Sequence, residues 1–211
     1  IAMMIFLSFM KFDFGPMAKF ERVSEKAVLD DLIDNFSVGD NRGGFTKCFE
    51  KDIYANAGIK FQLNETFASV SAKNVIRGIH FQTHNPQAKL VCVVQGKVLD
   101  VIVDLRPDSP TYKKWISAEL SAENHKALYV PRGFAHGFKV LSEYAEFAYK
   151  CDDIYNPSAE GGLAWNDPEI GIEWPVDGVE SCNVCADNVD NFTIRIFPVV
   201  LELLVVLLTV S

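Results

Sequence analysis

The stretch "KLVCVVQGKVLDVIVDL", residues 89–105, constrains the fold more than any other part of the chain. Two runs rich in β-branched residues flank Gln95-Gly96, which reads as a hairpin turn. In the second run Asp100 and Asp104 alternate with Leu99, Val101, Val103 and Leu105, the period of two expected of a half-buried strand. "RPDSPTY" then turns the chain with two prolines and an aspartate. "KKWISAEL", "ALYVP", "FAHGFKVL" and "AEFAYKC" continue the series of short runs. From Phe61 onward the pattern is that of an all-β sandwich or barrel.

The N-terminal part follows a different period. "SEKAVLDDLIDNF" sets Val28, Leu29, Leu32, Ile33 and Phe36 at helical spacing behind Ser24 as a cap, and "FEKDIYANAG" reads as a short helix closed by Gly58. Short helices are therefore expected to flank the sheet. No internal repeat or low-complexity linker divides the chain, so residues 17–190 are expected to form a single domain. Residues 1–16 and 191–211 are apolar extensions. "IAMMIFLSFM" lacks a basic n-region and a clear cleavage site, and fits sequence upstream of a start at Met17. Ile196 to Val210 is shorter than the roughly 20 residues of a membrane span and is interrupted by Pro198 and Glu202. It reads as a buried strand or terminal helix, and no membrane partner is expected.

A formal net charge of -8 argues against nucleic acid as a partner, because that binding needs clustered positive charge. An anionic small ligand stays compatible with it wherever basic residues converge. The five cysteines sit in apolar runs apart from Cys182 and Cys185, which suits a reducing, cytoplasmic compartment. Cys182-Asn-Val-Cys185 has neither a second pair for zinc nor a thioredoxin-like setting, and reads as incidental.

Chemistry concentrates in "VIRGIHFQTHNPQAKLV", which holds Arg77, Lys89 and two of the four histidines, His80 and His84. Strict alternation puts Arg77 and His80 on opposite faces of a strand, unless Gly78 marks a bulge that turns both inward. His136 falls in step with Phe134 and Phe138 and opposite Lys139. Alone it would be an ordinary core histidine; with His80, arginine, lysine and tyrosine nearby, a pocket is the better reading. A metal held by His80, His84 and His136 is disfavoured. Gln82 stands two residues after His80, where metal-binding barrels place a second histidine, and no acidic residue lies between His80 and Lys97. The competing reading is metal-free proton transfer beside a carbonyl, with a histidine base, a lysine on the enolate and a tyrosine acid.

The segments "NVIRGIHFQ", "QAKLVCVVQGKVLDVIVDLRPDSPTYKKW", "LSAEN", "PRGFAHGF", "AEFAYKC" and "WNDPEIGIEWP" resemble the dTDP-4-dehydrorhamnose 3,5-epimerase family in order and spacing, from about Gly39 to Asp187. The resemblance implies a cupin-like jelly roll, a homodimer and no metal or other cofactor. It also implies strands, not a helix, near the N-terminus. The implied substrate is a nucleotide-linked 4-keto-6-deoxy sugar inverted at C3, C5 or both. A 3,4-ketoisomerase is a relative within the fold, against which Gln82 speaks. A non-catalytic sugar- or metal-binding cupin is the alternative outside it. Carried over by motif, His80 is the general base, Asp187 the carboxylate orienting it and Tyr149 the proton donor on the opposite sugar face. Lys89 and His136 surround the keto oxygen and pyranose. Arg77 takes the diphosphate, Arg42 and Phe45 the nucleotide side, Lys47, Gln62 and Asn64 contact substrate, and Tyr155 lines the pocket near the nucleotide. Lys47 stands where rhamnose-pathway members often carry a glutamate, Asn64-Glu65-Thr66 replaces an asparagine-histidine-serine run, and "CNVCADNVDNF" departs from the pattern around the carboxylate.

Overall fold

The computed structural model describes residues 18–22, 31–56, 58–175 and 181–182. Two antiparallel sheets face each other. The first runs β1 (Ala18–Arg22), β2 (Asp31–Asp40), β9 (Lys126–Val130), β6 (Lys89–Gln95), β11 (Tyr144–Cys151) and β4 (Glu65–Ala72), with β3 (Gly43–Lys47) also pairing β2. The second runs β12 (Glu160–Gly162), β5 (Val75–Gln82), β10 (Phe134–Val140), β7 (Lys97–Asp104) and β8 (Trp115–Ser121), and β13 (Ser181–Cys182) lies parallel to β5. From β4 to β7, and again from β8 to β11, the chain crosses between sheets at each step, the weave of a jelly roll. A single turn of helix, α1 (Lys51–Asn56), follows β3 and ends near Gly58, which adopts φ 87°.

The alternation read in the sequence becomes three apolar layers. Between the sheets lie Val91, Val93, Leu128, Val130 and Phe147 from the first, and Val98, Ile102, Leu120, Phe138 and Val140 from the second. Outside the first sheet, Ile33, Leu90, Cys92 and Ala127 pack under Tyr54, Ile59 and Phe61. Outside the second, Ile76, Ile79, Val101, Val103 and Ala135 are covered by Ile170 and Trp174. Strands buried on both faces explain why "KLVCVV" is a continuous apolar run.

Three expectations are corrected. Gln95-Gly96 is a tight turn, with Gly96 at φ 81°, but β6 and β7 do not pair: the turn carries the chain from one sheet to the other. A Cβ on Gly96 would meet the Tyr144 carbonyl oxygen at 2.1 Å, so the crossing requires glycine. Residues 31–36, helical by their spacing, are strand, as the family resemblance implied. Pairing of Ile33 with Ala127 of β9 and of Phe36 with Lys47 of β3 outweighs a spacing that also fits a helix. β7 is not half-buried, because Asp100 and Asp104 are both fully inaccessible. Asp104 is held by the Arg106 guanidinium at 2.7 and 2.8 Å and by the Ser109 and Thr111 hydroxyls. Asp100 faces the interior.

Candidate active site

One extra residue in β5 builds the site. His80 stands opposite His136 and Arg77 opposite Phe138, so three steps on β5 match two on β10. The bulge falls at Gly78, φ 114°, where a Cβ would lie 2.5 Å from the Gly137 Cα and 2.6 Å from the His136 carbonyl oxygen. Ile76 and Ile79 thus both join the outer layer, and Arg77 and His80 both turn inward, as the glycine suggested.

They open onto a cavity of about 340 Å³ lined also by Glu65, Phe67, Phe81, Gln82, Gln87, Lys89, His136, Gly137, Tyr149, Tyr155 and Glu160. Base and acid candidates come from different sheets: His80 from β5, Tyr149 from β11. Lys89 begins β6, paired with Cys151 beside Tyr149. A larger cavity of about 430 Å³ shares Phe81, Gln82, Gln87 and Lys89 but is otherwise lined largely by Leu105, Pro107, Leu163 and Ala164 and lacks the histidines. His80, His136, Tyr149 and Glu160 gather at the smaller one, which is the candidate site.

His80 is held by a carboxylate that the sequence reading missed. Its Nδ1 lies 3.0 Å from Glu160 Oε1, and the Tyr155 hydroxyl donates to Glu160 Oε2 at 2.5 Å. The His80 hydrogen bond is the main cause holding the Glu160 carboxyl below its ordinary value, against partial burial. An Nδ1–H donated to that carboxylate leaves Nε2 free to accept a proton. Asp187, the expected partner, lies outside the described residues.

His136 has its own carboxylate: Nε2 is 3.0 Å from both oxygens of Asp100. Burial pushes the Asp100 carboxyl up, opposed by His136 and then Lys89. Burial likewise lowers the Lys89 ammonium, opposed by Cys151, Glu160 and Asp100. Tyr149 is raised by burial and by Asp100, so its phenol keeps its proton to high pH. Phe67 stacks on the Tyr149 ring at 4.4 Å and His136 meets it edge-on at 6.1 Å, fixing its plane. Arg77 Nε donates to Ser71 Oγ at 2.7 Å. Glu65 accepts the Tyr155 backbone N–H at 2.8 Å, tying the Tyr155 segment to β4.

Of the twelve sequence-named residues, His80, Tyr149, Lys89, Arg77, His136 and Tyr155 therefore share one cavity. Arg42, Phe45, Lys47, Gln62 and Asn64 do not line it. Arg42 is exposed and paired with Asp40 at the tip of the β2–β3 hairpin, in a separate concavity with Phe45. Lys47 pairs with Glu50 at 2.5 Å. Asn64 donates to the Asp152 carbonyl and Gln62 is exposed. Among the described residues no group of three or more His, Cys, Asp or Glu gathers as a metal site, and no helix is long and apolar enough to cross a membrane.

Residues 30–191 match the family described as dTDP-4-dehydrorhamnose 3,5-epimerase. The protein of that name from Salmonella typhimurium is 48% identical over 156 residues, 72% of this chain and 85% of its own length. That from Methanothermobacter thermautotrophicus is 43% identical over 141 residues, 67% and 76%. A crystal structure of dTDP-6-deoxy-D-glucose-3,5-epimerase from Legionella pneumophila, in complex with dTDP-4-keto-L-rhamnose, superimposes with a TM-score of 0.75 at 38% identity, covering 79% of this chain and 88% of that one.

Proposed function

The chain belongs to the dTDP-4-dehydrorhamnose 3,5-epimerase family, and we propose that it converts dTDP-4-dehydro-6-deoxyglucose to dTDP-4-dehydrorhamnose by inverting C3 and C5. It is an isomerase of the epimerase class. The observation carrying the reading is the placement of His80 and Tyr149 on opposite sheets of one cavity with Lys89 at its wall.

The C4 ketone acidifies the protons on C3 and C5. His80 Nε2 removes one, and the Glu160 carboxylate stabilises the imidazolium that results. The electron pair moves onto the C4 oxygen, where the Lys89 ammonium, strengthened by partial desolvation, holds the enolate. Tyr149 returns a proton from the opposite face, which inverts the centre; an acid on the same face would restore the starting sugar. His136, clamped by Asp100, lines the pyranose site, Tyr155 the nucleotide side, and Arg77 takes the diphosphate as its fork geometry favours.

This active unit is a single domain over residues 17–190 working as a homodimer. The exposed Arg42 and Phe45, with Lys47, would then bind the nucleotide on the partner's cavity, since they stand clear of their own; Gln62 and Asn64 would contact it at the rim. Exposed Phe67 and Val70 on the edge strand β4 support such pairing. The free thiols Cys48, Cys92 and Cys151 suit the cytoplasm.

The test is proton NMR in deuterated water with dTDP-4-keto-6-deoxyglucose. Enzyme-dependent deuterium at both C3 and C5, with inversion, is expected. Label at one centre would reduce the activity to a mono-epimerase, and label at neither would overturn it.

A further inference from the structure

Aromatic side chains surround the Tyr149 ring, and one of them has no part in the chemistry above. Phe147 meets the ring at 4.8 Å and 62°, and His136 at 6.1 Å and 78°, so both touch it tilted or edge-on. Among the described residues only Phe67 lies flat against it, 4.4 Å away at 19°. The register makes this contact. β4 and β11 run antiparallel with Phe67 directly opposite Tyr149, and Glu65, two residues earlier on the same face, also lines the cavity. β4 is the last strand of its sheet, and Phe67 stays 44% exposed where Tyr149 is 9% exposed. The apolar layer between the sheets takes in Phe147 and Tyr149 but not Phe67. The ring therefore serves the cavity more than the core.

We propose that Phe67 is a positioning residue that decides the stereochemical outcome: its flat face holds the Tyr149 phenol at the enolate, so that the proton comes from Tyr149 and not back from His80. The proposal rests on the reading of Tyr149 as the acid. The enolate has two proton sources. When Tyr149 supplies the proton, the C=C electron pair forms the new C–H bond, the C4 carbonyl is restored, tyrosinate remains and the centre is inverted. When the His80 imidazolium supplies it, the C–H bond forms on the original face and the centre is retained. Which source wins depends on which donor is in place. The phenol swings about two side-chain bonds, and its edge-on neighbours leave the flat side of the ring open to that swing. Phe67 closes that side by stacking. The same cover helps keep water from Tyr149, whose phenol burial holds protonated to high pH.

The experiment follows the full chain by proton NMR in deuterated water, early in the reaction, with dTDP-4-keto-6-deoxyglucose at saturating concentration. The quantity read is inverted sugar formed per deuterium incorporated. Phe67→Ala should lower it about 2- to 10-fold, the range an aromatic pair commands. Phe67→Leu, which keeps the bulk without the flat face, should do the same, and Phe67→Trp should keep the wild-type ratio. An unchanged ratio in Phe67→Ala, inversion and incorporation falling in step, or a lowered ratio in Phe67→Trp would each overturn the proposal. No deuterium in the wild type would bring down the epimerase reading and the proposal with it.

Discussion

Replacing Glu160 with glutamine removes one charge from behind the base and little else. The carboxylate lies 3.0 Å from His80 Nδ1, and about a quarter of each side chain is exposed, 26% and 27%. At a separation near 4 Å and an effective dielectric constant near 20, a full charge pair would be worth about 4 kcal/mol. Solvent reaching both groups reduces this, and a charge-assisted hydrogen bond contributes about 1.5–3 kcal/mol net. The imidazolium exists only once the sugar proton has moved, so the loss falls on the transition state: kcat should drop roughly 10- to 150-fold with KM little changed. The glutamine oxygen still accepts Nδ1–H, so folding should be unaffected. Deuterium incorporation at C3 and C5 is the assay, run beside Asp187→Asn. If Glu160→Gln stays within about 3-fold of wild type while Asp187→Asn loses about 100-fold, the orienting carboxylate is Asp187 and the argument for Glu160 fails.

Tyr149→Phe should keep deuterium exchange through His80 yet lose net inversion, read from the coupling pattern of the recovered sugar; normal inversion would refute Tyr149 as the acid. Gly78→Ala places a Cβ 2.5 Å from the Gly137 backbone at φ 114°, and should cost about 3 kcal/mol or more of stability in a denaturant melt. Burial raises the Asp104 carboxyl, but the Arg106, Ser109 and Thr111 hydrogen bonds outweigh it and leave the group depressed. A depressed carboxylate stabilises the fold above its unfolded value of about 4 and loses that contribution as the pH falls through the lower folded value. Asp104→Asn should therefore cost about 2 kcal/mol at neutral pH, and its melting temperature should fall less steeply than that of wild type below about pH 4.

Between Lys89 and Cys151 the short apolar runs made the β architecture legible, because turn residues flank them and they can be recognised without their partners. Which strands pair was not legible. Gln95-Gly96 carries the turn chemistry of a hairpin, and nothing local distinguishes a hairpin from a crossing between sheets. The spacing of Leu32, Ile33 and Phe36 satisfies helix and strand alike, and only Ala127 and Lys47, distant in sequence, decide between them. Asp100 alternates with apolar residues as a solvent-facing aspartate would; its interior place depends on His136, on the neighbouring strand and 36 positions away. Within the site, Gly78 signalled the bulge, and His80, Tyr149 and Lys89, which the fold brings to one cavity, were named from the sequence. Glu160 was not, since "NPSAEGG" looks like a turn, and the carboxylate acquires meaning only when β12 pairs with the end of β5 and sets Glu160 opposite Gln82. The hairpin residues Arg42 and Phe45 were read as one set with His80, though the fold carries them to another surface.

One base and one acid also have consequences for a reaction at two centres. C3 and C5 flank C4 symmetrically, and a sugar held through its C4 oxygen by Lys89 brings either carbon to the same gap between the sheets by turning about that oxygen. Nothing in the cavity then requires a second base, although His136 stands opposite His80 on the next strand and is the only other imidazole in the lining. His136 Nε2 is committed to the buried Asp100, and the ring lies edge-on to Tyr149. The two arrangements give different outcomes for His80→Ala. With a single base, deuterium incorporation at C3 and C5 should vanish together while substrate still binds. Surviving incorporation at one centre, removed only by adding His136→Ala, would assign the second centre to His136 and end the single-base mechanism.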